Sequence, residues 1–572
     1  MSGFGDGDSG AASARRLAPL LALVLLLAFA LRVAFPLADP PWREPIGITW
    51  HDEGVWAHNA RNKALWGGWR QDEWNPMFVS PVFTGLEYLV FAVAGVGLWQ
   101  ARLVSMIAGA LSVLGLAIGL RARADRAPAA AAGALLLAVN YTWVMYGRVA
   151  LLEAAMVALL VAAWAWYARA RSWQGGLAAG LLALLAFFTK ASAAFFLVAL
   201  GLDCLWTLAP AWRRGRWTPV GPAEVTAAAT LGTLAAGTAL AIAIFVAPYW
   251  DEYAFYNLQV YGARRAAPGL DALVDRASWF PVIHGFFTRH WLLTAAAFAG
   301  ALRIVCRHKQ SLPGDRLLVL WLVLGSAELV MHDLGNERRY VFLIPPMAAL
   351  AALLLVEARE LAPAWLTGGP RGRLLRVLPL VLPGAYVLAG SVSRTFFLPD
   401  ISLSVRTGAA AAAVLTLAVV AGWPRLAPVL RRARWSAAAA WLAVAVIAAG
   451  DLARFARWAA GRTYRNYEAS LAVGRVLPAG TPVQGKLANG LALDNRIRPL
   501  FIGPGFGNFA DRHDRPDVQW ILTYDRPRLG YEGAVIREVL EALPGWTVEL
   551  SFPVAETPGG DDRAVLIRKR ER

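Results

Sequence analysis

Two carboxylates, Asp52 and Glu53, close the string Trp50-His51-Asp52-Glu53 and open a tryptophan-rich stretch holding Trp56, Trp66, Trp69 and Trp74. The string follows the first long apolar run, so it lies where chain leaves lipid for water. A carboxylate near a low-dielectric boundary can hold a pKa suited to taking a hydroxyl proton, which makes Asp52 a candidate general base with Glu53 beside it. The same pair could instead begin an in-plane helix, with Asp as N-cap and Glu in the first turn.

Four further positions offer charge. Arg102 stands at the mouth of an apolar span, where an arginine either snorkels or meets an anion. Arg148 and Glu153 frame a short loop, as a local ion pair or as substrate contacts. Lys190, in Phe187-Phe-Thr-Lys190, interrupts an otherwise apolar region, and an ionisable group there is a functional candidate by default. Arg338 and Arg339, in Asn336-Glu-Arg-Arg-Tyr340, precede Pro345-Pro346. Guanidinium groups match phosphate oxygens in a fork; pairing with Asp333 and Glu337 is the plainer alternative.

Apolar spans must position these groups. Of 572 residues, 58% are hydrophobic and 17% charged, well under the roughly 25% charged of a soluble domain. Uncharged runs such as 17–31 and 225–248 mark a polytopic membrane protein. Arginine clusters at 15–16, 121–126, 169–171, 213–216, 307–316, 371–376 and 431–434 fit one alternation if all are cytoplasmic, giving roughly thirteen spans. The N-terminal tail, 1–16, is then inside. Outside lie the first loop (38–100) and segments 147–153, the Lys190 turn, 249–290, 331–340 and 391–400. The apolar stretch 81–97 breaks that parity if it crosses, so it is expected to lie in the interface or dip partway.

The net charge of +17 does not indicate nucleic-acid binding, because the arginines sit between apolar spans where orientation requires them. Two cysteines show no metal-ligand spacing. The apolar run after Arg15-Arg16 is too long for a cleaved signal peptide and reads as a retained anchor. The transmembrane domain is expected over 17–451. Beyond it, hydrophobicity falls, and β-like runs at 482–487, 518–524, 546–552 and 564–567 alternate with helical pieces at 467–477 and 535–543, predicting a small extracytoplasmic α/β domain over 452–572. Gly503-Pro-Gly-Phe-Gly507 lacks the lysine and hydroxyl of a P-loop and reads as plain loop.

In order and topological side, these pieces resemble the GT-C superfamily of membrane glycosyltransferases. The nearest likeness is to bacterial members of the protein O-mannosyltransferase and lipid A aminoarabinose transferase group. The resemblance runs over about 17–360 and rests on Asp52-Glu53, the 81–88 segment, Arg102-Leu-Val-Ser, Gly147-Arg148…Glu153, Phe188-Thr-Lys190 and Arg338-Arg-Tyr…Pro345-Pro. It implies a mainly α, polytopic GT-C-like fold and a polyprenyl-phosphate sugar donor. Transfer to an acceptor hydroxyl would occur outside the cytoplasm with inversion, in the inner membrane of a bacterium. Asp52 takes the base position, with Glu53 secondary. Arg338, Arg339, Lys190 and Arg102 become donor-phosphate ligands, and His51, Arg148, Glu153 and Tyr340 substrate contacts. No metal is required on this reading, a divalent ion being the alternative. The acceptor is then a hydroxyl of protein, lipid or glycan. Glu153 stands where many relatives have aspartate, and Ser80 where the aminoarabinose transferases have lysine.

A transporter or flippase of lipid-linked glycans could use the same cations to hold a phosphate, but no internal repeat is evident. A non-catalytic protein displaying the C-terminal domain leaves Asp52, Lys190 and Arg338-Arg339 without a purpose.

Overall fold

The structure, a computed structural model, describes residues 6–41, 50–122, 126–260, 269–275, 278–279, 286–287, 289–306, 311–332, 337–357, 437–501, 517–525, 540–541, 543, 545–554 and 563–570. It is mainly helical, with a small C-terminal sheet. Six helical stretches among the described residues are long and apolar enough to cross a membrane, and five shorter apolar helices accompany them. The chain is an integral membrane protein. The hairpin expected between the 371–376 and 431–434 clusters, and the glycine-rich 503–507, lie outside the described residues.

Helix α1 (Asp6–Val33) starts ahead of the expected first span and ends at a turn where Phe35 adopts positive φ. Two short helices follow, α2 (Asp52–Trp56) and α3 (His58–Trp66), then α4 (Pro81–Ala94). At 14 residues α4 is roughly 21 Å long, too short for a hydrocarbon core of about 30 Å. The long helices α5 (Leu98–Leu120), α8 (Leu152–Arg169), α9 (Trp173–Thr189) and α11 (Pro222–Ala241) pack in that order, with α6 (Ala127–Val139) and α7 (Tyr141–Tyr146) alongside α1 and α5.

Small residues let these helices approach closely, as membrane packing requires. A Cβ on Gly176 would lie 2.4 Å from the Thr226 carbonyl oxygen, and one on Gly180 2.7 Å from Thr233 Cβ. Far from the first loop, α10 (Ala194–Trp212) meets Pro313–His332 through Arg316 Nε, which donates to Asp203 at 2.8 Å. Arg126 grips Asp315 there with two bonds of 2.6 and 2.8 Å.

The C-terminal domain follows the helix Ala437–Ala460. Its strands β1 (Pro482–Gln484), β2 (Arg498–Leu500), β3 (Trp520–Tyr524), β4 (Trp546–Pro553) and β5 (Arg563–Lys569) pair in the order β2-β1-β3-β5-β4. β1 is parallel to β2 and β3, while β5 is antiparallel to β3 and β4. The observed strands overlap all four runs anticipated from sequence, and Arg465–Val476 coincides with the expected helix over 467–477. Of the helical piece expected over 535–543, most lies outside the described residues. β2 is additional.

This domain is docked on the first loop. Trp50 lies in its hydrophobic core with Val473, Leu487, Leu522 and Leu566. Buried Arg61 donates to the carbonyls of Ala492, Asn495 and Ile497, and Asp39 accepts from the backbone N–H groups of Arg465 and Asn466. A Cβ on Gly54 would meet the Asn489 carbonyl oxygen at 1.8 Å, so only glycine permits the approach.

Candidate active site

The acidic string sits where α2 begins, beneath the C-terminal domain, and its two carboxylates have different fates. Glu53 forms a bidentate pair with Arg102, both bonds 2.7 Å, and accepts from the Ala150 backbone N–H at 2.8 Å. Arg102 also donates to the carbonyls of Pro36 and Ala38 at 2.9 and 2.8 Å. These bonds tie α2, α5, the end of α1 and the loop before α8 into one knot. Arg102 therefore does not snorkel: the anion it meets is Glu53, and the rest of its guanidinium is committed to backbone.

Asp52 faces the other way. Its Oδ2 accepts from Arg338 at 2.5 Å, and His51 Nε2 lies 3.7 Å from its Oδ1. Arg338 is carried by the 3-10 turn Glu337–Leu343, and its Nε also lies 3.8 Å from Glu153 Oε1. Glu153, in the first turn of α8, accepts from the ammonium of Lys190, which terminates α9 in extended conformation. Loop residue 52, the 147–153 segment, the Lys190 turn and the 331–340 segment thus meet in one buried cluster of two acids and two cations. Ser80 donates to the carbonyl of Thr189 at 2.6 Å, so it abuts the Lys190 corner without adding charge.

Not every candidate converges there. Arg148 donates to the carbonyls of Leu31 and Phe35, both at 2.8 Å, and lies 4.3 Å over the Trp458 ring. It clamps the end of α1, and Glu153 pairs with Lys190 instead of Arg148. Burial, with Arg102 and Arg32 nearby, lowers the Arg148 pKa to about 9. Tyr340 is buried against Phe286, ring centroids 5.3 Å apart, as part of the bundle core. Arg339 is half-buried, and its charge bears on Lys190. Asp333 lies outside the described residues.

Two residues were not singled out from sequence. Tyr524, at the end of β3, brings its hydroxyl to 3.4 Å from His51 Nδ1. Glu87 on α4 is fully buried, and neither of its carboxylate oxygens has a hydrogen-bond partner among the described residues. Burial, and then the charge of Glu53, raise its pKa well above the usual carboxylate value. A lone acid in the otherwise uncharged helix 81–94 was the available signal for Glu87; nothing local in sequence marks Tyr524.

The family model for dolichyl-phosphate-mannose-protein mannosyltransferase matches residues 79–244. Two solved structures of ArnT from Cupriavidus metallidurans share the fold. The one bound to undecaprenyl phosphate has a TM-score of 0.52 at 17% identity, covering 96% of this chain and 97% of that one. The apo form gives 0.54 at 17% identity, covering 97% and 98%. No curated protein sequence matches. The resemblance to GT-C enzymes is borne out at the level of fold.

Proposed function

We propose that this chain is a membrane glycosyltransferase moving a sugar from a polyprenyl-phosphate carrier to an acceptor hydroxyl. The observation that carries this reading is the Asp52–Arg338 pair set beside Glu153–Lys190: a base and two cations brought from four separate segments. The mannosyltransferase family match over 79–244 supports the reaction class. ArnT, whose fold is shared, binds undecaprenyl phosphate, which supports a polyprenyl carrier. The arginine alternation supports an orientation with the cluster and C-terminal domain outside and the N-terminus inside, and the resemblance implies a bacterial inner membrane.

In a single displacement, Asp52 accepts the proton of the acceptor hydroxyl while its oxygen attacks the anomeric carbon. The carbon–oxygen bond to phosphate breaks on the opposite face, inverting the centre and releasing polyprenyl phosphate. Arg338 and Lys190 stabilise the growing charge on that phosphate as preorganised cations. A donor phosphate must first draw Arg338 away from Asp52. Losing the cation makes the carboxylate more basic, so donor binding itself arms the base. With Ser80 neutral, Lys190 supplies the ammonium of that corner.

Purified protein in lipid nanodiscs, given radiolabelled sugar on undecaprenyl phosphate and a crude envelope acceptor fraction, should label the acceptor. Turnover should survive EDTA, because the two cations do the work a metal would otherwise do. Movement of intact donor across proteoliposomes without sugar transfer would establish a flippase and sink the reading.

A further inference from the structure

We propose that the C-terminal domain completes the catalytic centre through Tyr524, a positioning residue that fixes the tautomer of His51 against Asp52. The proposal rests on the reading of Asp52 as the base.

The His51 ring is held from the C-terminal side. A Cβ on Gly490 would lie 2.7 Å from His51 Cα and Cβ, so the domain closes directly over this residue. The neighbouring Trp50 ring stands edge-on to the imidazole at 5.7 Å, with its own indole set in the domain core. The two ring nitrogens then face different groups, Nδ1 the Tyr524 hydroxyl at 3.4 Å and Nε2 the Asp52 carboxylate at 3.7 Å.

Those two neighbours choose the tautomer. An ionised carboxylate only accepts, so a lone pair on Nε2 would face the lone pairs of Oδ1, and the proton belongs on Nε2. Nδ1 is then an acceptor and needs a donor. The Tyr524 hydroxyl, a donor as well as an acceptor, supplies one. The hydrogen-bond direction runs from Tyr524 to His51, and the Nε2–H dipole points at Asp52. At 3.7 Å this N–H orients the carboxylate electrostatically rather than bonding it.

The arrangement matters when Arg338 turns to the donor phosphate. Asp52 then loses its 2.5 Å partner, and the His51 N–H keeps the carboxylate aimed at the incoming hydroxyl. Tyr524 touches no reacting atom; it acts through His51.

The test uses the full chain in nanodiscs with 15N-labelled histidine. Seven histidines are present, and the His51 signals are those lost in His51→Gln. The expected result at neutral pH is the Nε2–H tautomer, changing to a tautomer mixture in Tyr524→Phe while the melting temperature stays at the wild-type value. A wild-type Nδ1–H tautomer, or one indifferent to Tyr524→Phe, overturns the proposal. Hydrolysis of undecaprenyl phosphate carrying mannose, galactose or arabinose, with water as acceptor, separates the two levels of the argument. Tyr524→Phe should lower kcat roughly tenfold with donor KM unchanged, as the loss of one hydrogen bond predicts. Asp52→Asn should cut hydrolysis by about two to four orders of magnitude. Full hydrolysis in Asp52→Asn removes the base reading itself. An inactive Asp52→Asn beside a Tyr524→Phe of wild-type kcat removes only the role of Tyr524.

Discussion

Two acid–base networks start from adjacent residues and are built to opposite ends. Around Glu53, both carboxylate oxygens, three Arg102 nitrogens, two loop carbonyls and one backbone N–H are mutually matched at 2.7–2.9 Å. Around Asp52, one arginine is divided between two acids, at 2.5 Å to Asp52 and 3.8 Å to Glu153. The first network leaves nothing for a ligand to claim. The second can exchange partners, because a phosphate offers Arg338 a better-matched fork than a single carboxylate oxygen does. A one-residue step thus separates a closed fastening from a cluster in which one arginine is shared between two acids.

The sharpest way to break this comparison is to neutralise each acid in turn. Asp52→Asn should cut turnover by about two to four orders of magnitude, with folding and donor binding kept. Glu53→Gln should leave Arg102 as a buried, half-paired charge and cost about 3–5 kcal/mol of stability. Transfer assays and thermal melts on both variants should show the two effects crossing over. A Glu53→Gln protein that melts normally but does not turn over would make Glu53 the base.

Arg338→Lys is a milder challenge. It keeps the charge but loses the fork, so donor binding and turnover should each fall by roughly ten- to hundredfold, the worth of one or two charged hydrogen bonds. The matching Arg102→Lys change should lower the melting temperature without a selective effect on donor affinity. If titration with undecaprenyl phosphate gave Arg338→Lys an unchanged Kd, the cluster would not be the phosphate site.

The smallest effect concerns Glu87, which lies near the fastened network but takes no part in it. Its proton is held more tightly folded than unfolded, so this acid stabilises the fold below the ordinary glutamate pKa. That contribution is lost as pH rises toward the elevated folded value. Glu87→Gln should therefore gain thermal stability over the parent as pH increases from about 4.5, the ordinary glutamate range. Parallel pH–melting curves for the two proteins would contradict this.

Much of this organisation is legible in sequence because it follows from periodicity and expense. The four β-like runs lie where alternation and turn residues put them, and β2 was missed because three residues containing Pro499 give no pattern. Asp52, Lys190 and Arg338 stood out as charges that a membrane protein has reason to avoid. What the sequence could not assign was partnership. Arg148 and Glu153 are close in the chain, yet Arg148 spends its donors on carbonyls over a hundred positions away in sequence, and Glu153 turns to Lys190. Arg102 and Glu53 looked like site residues for the reason that made Asp52 one, since charge at a span mouth is costly whether it binds substrate or another residue. Only the partners that each residue meets in the fold separate the cases.

The burial of Trp50 inside the C-terminal domain has a consequence for biosynthesis. The indole emerges early, while the strands that enclose it are translated much later. Until then Trp50 has no core to enter, Gly54 has no carbonyl to press against, and His51 has no phenol. A nascent chain can insert most of its spans while the loop bearing Asp52 is still uncovered. The segment that closes over that loop is made long after it. Closure over Asp52 therefore waits on these strands, and chains ended ahead of them would leave that loop uncovered.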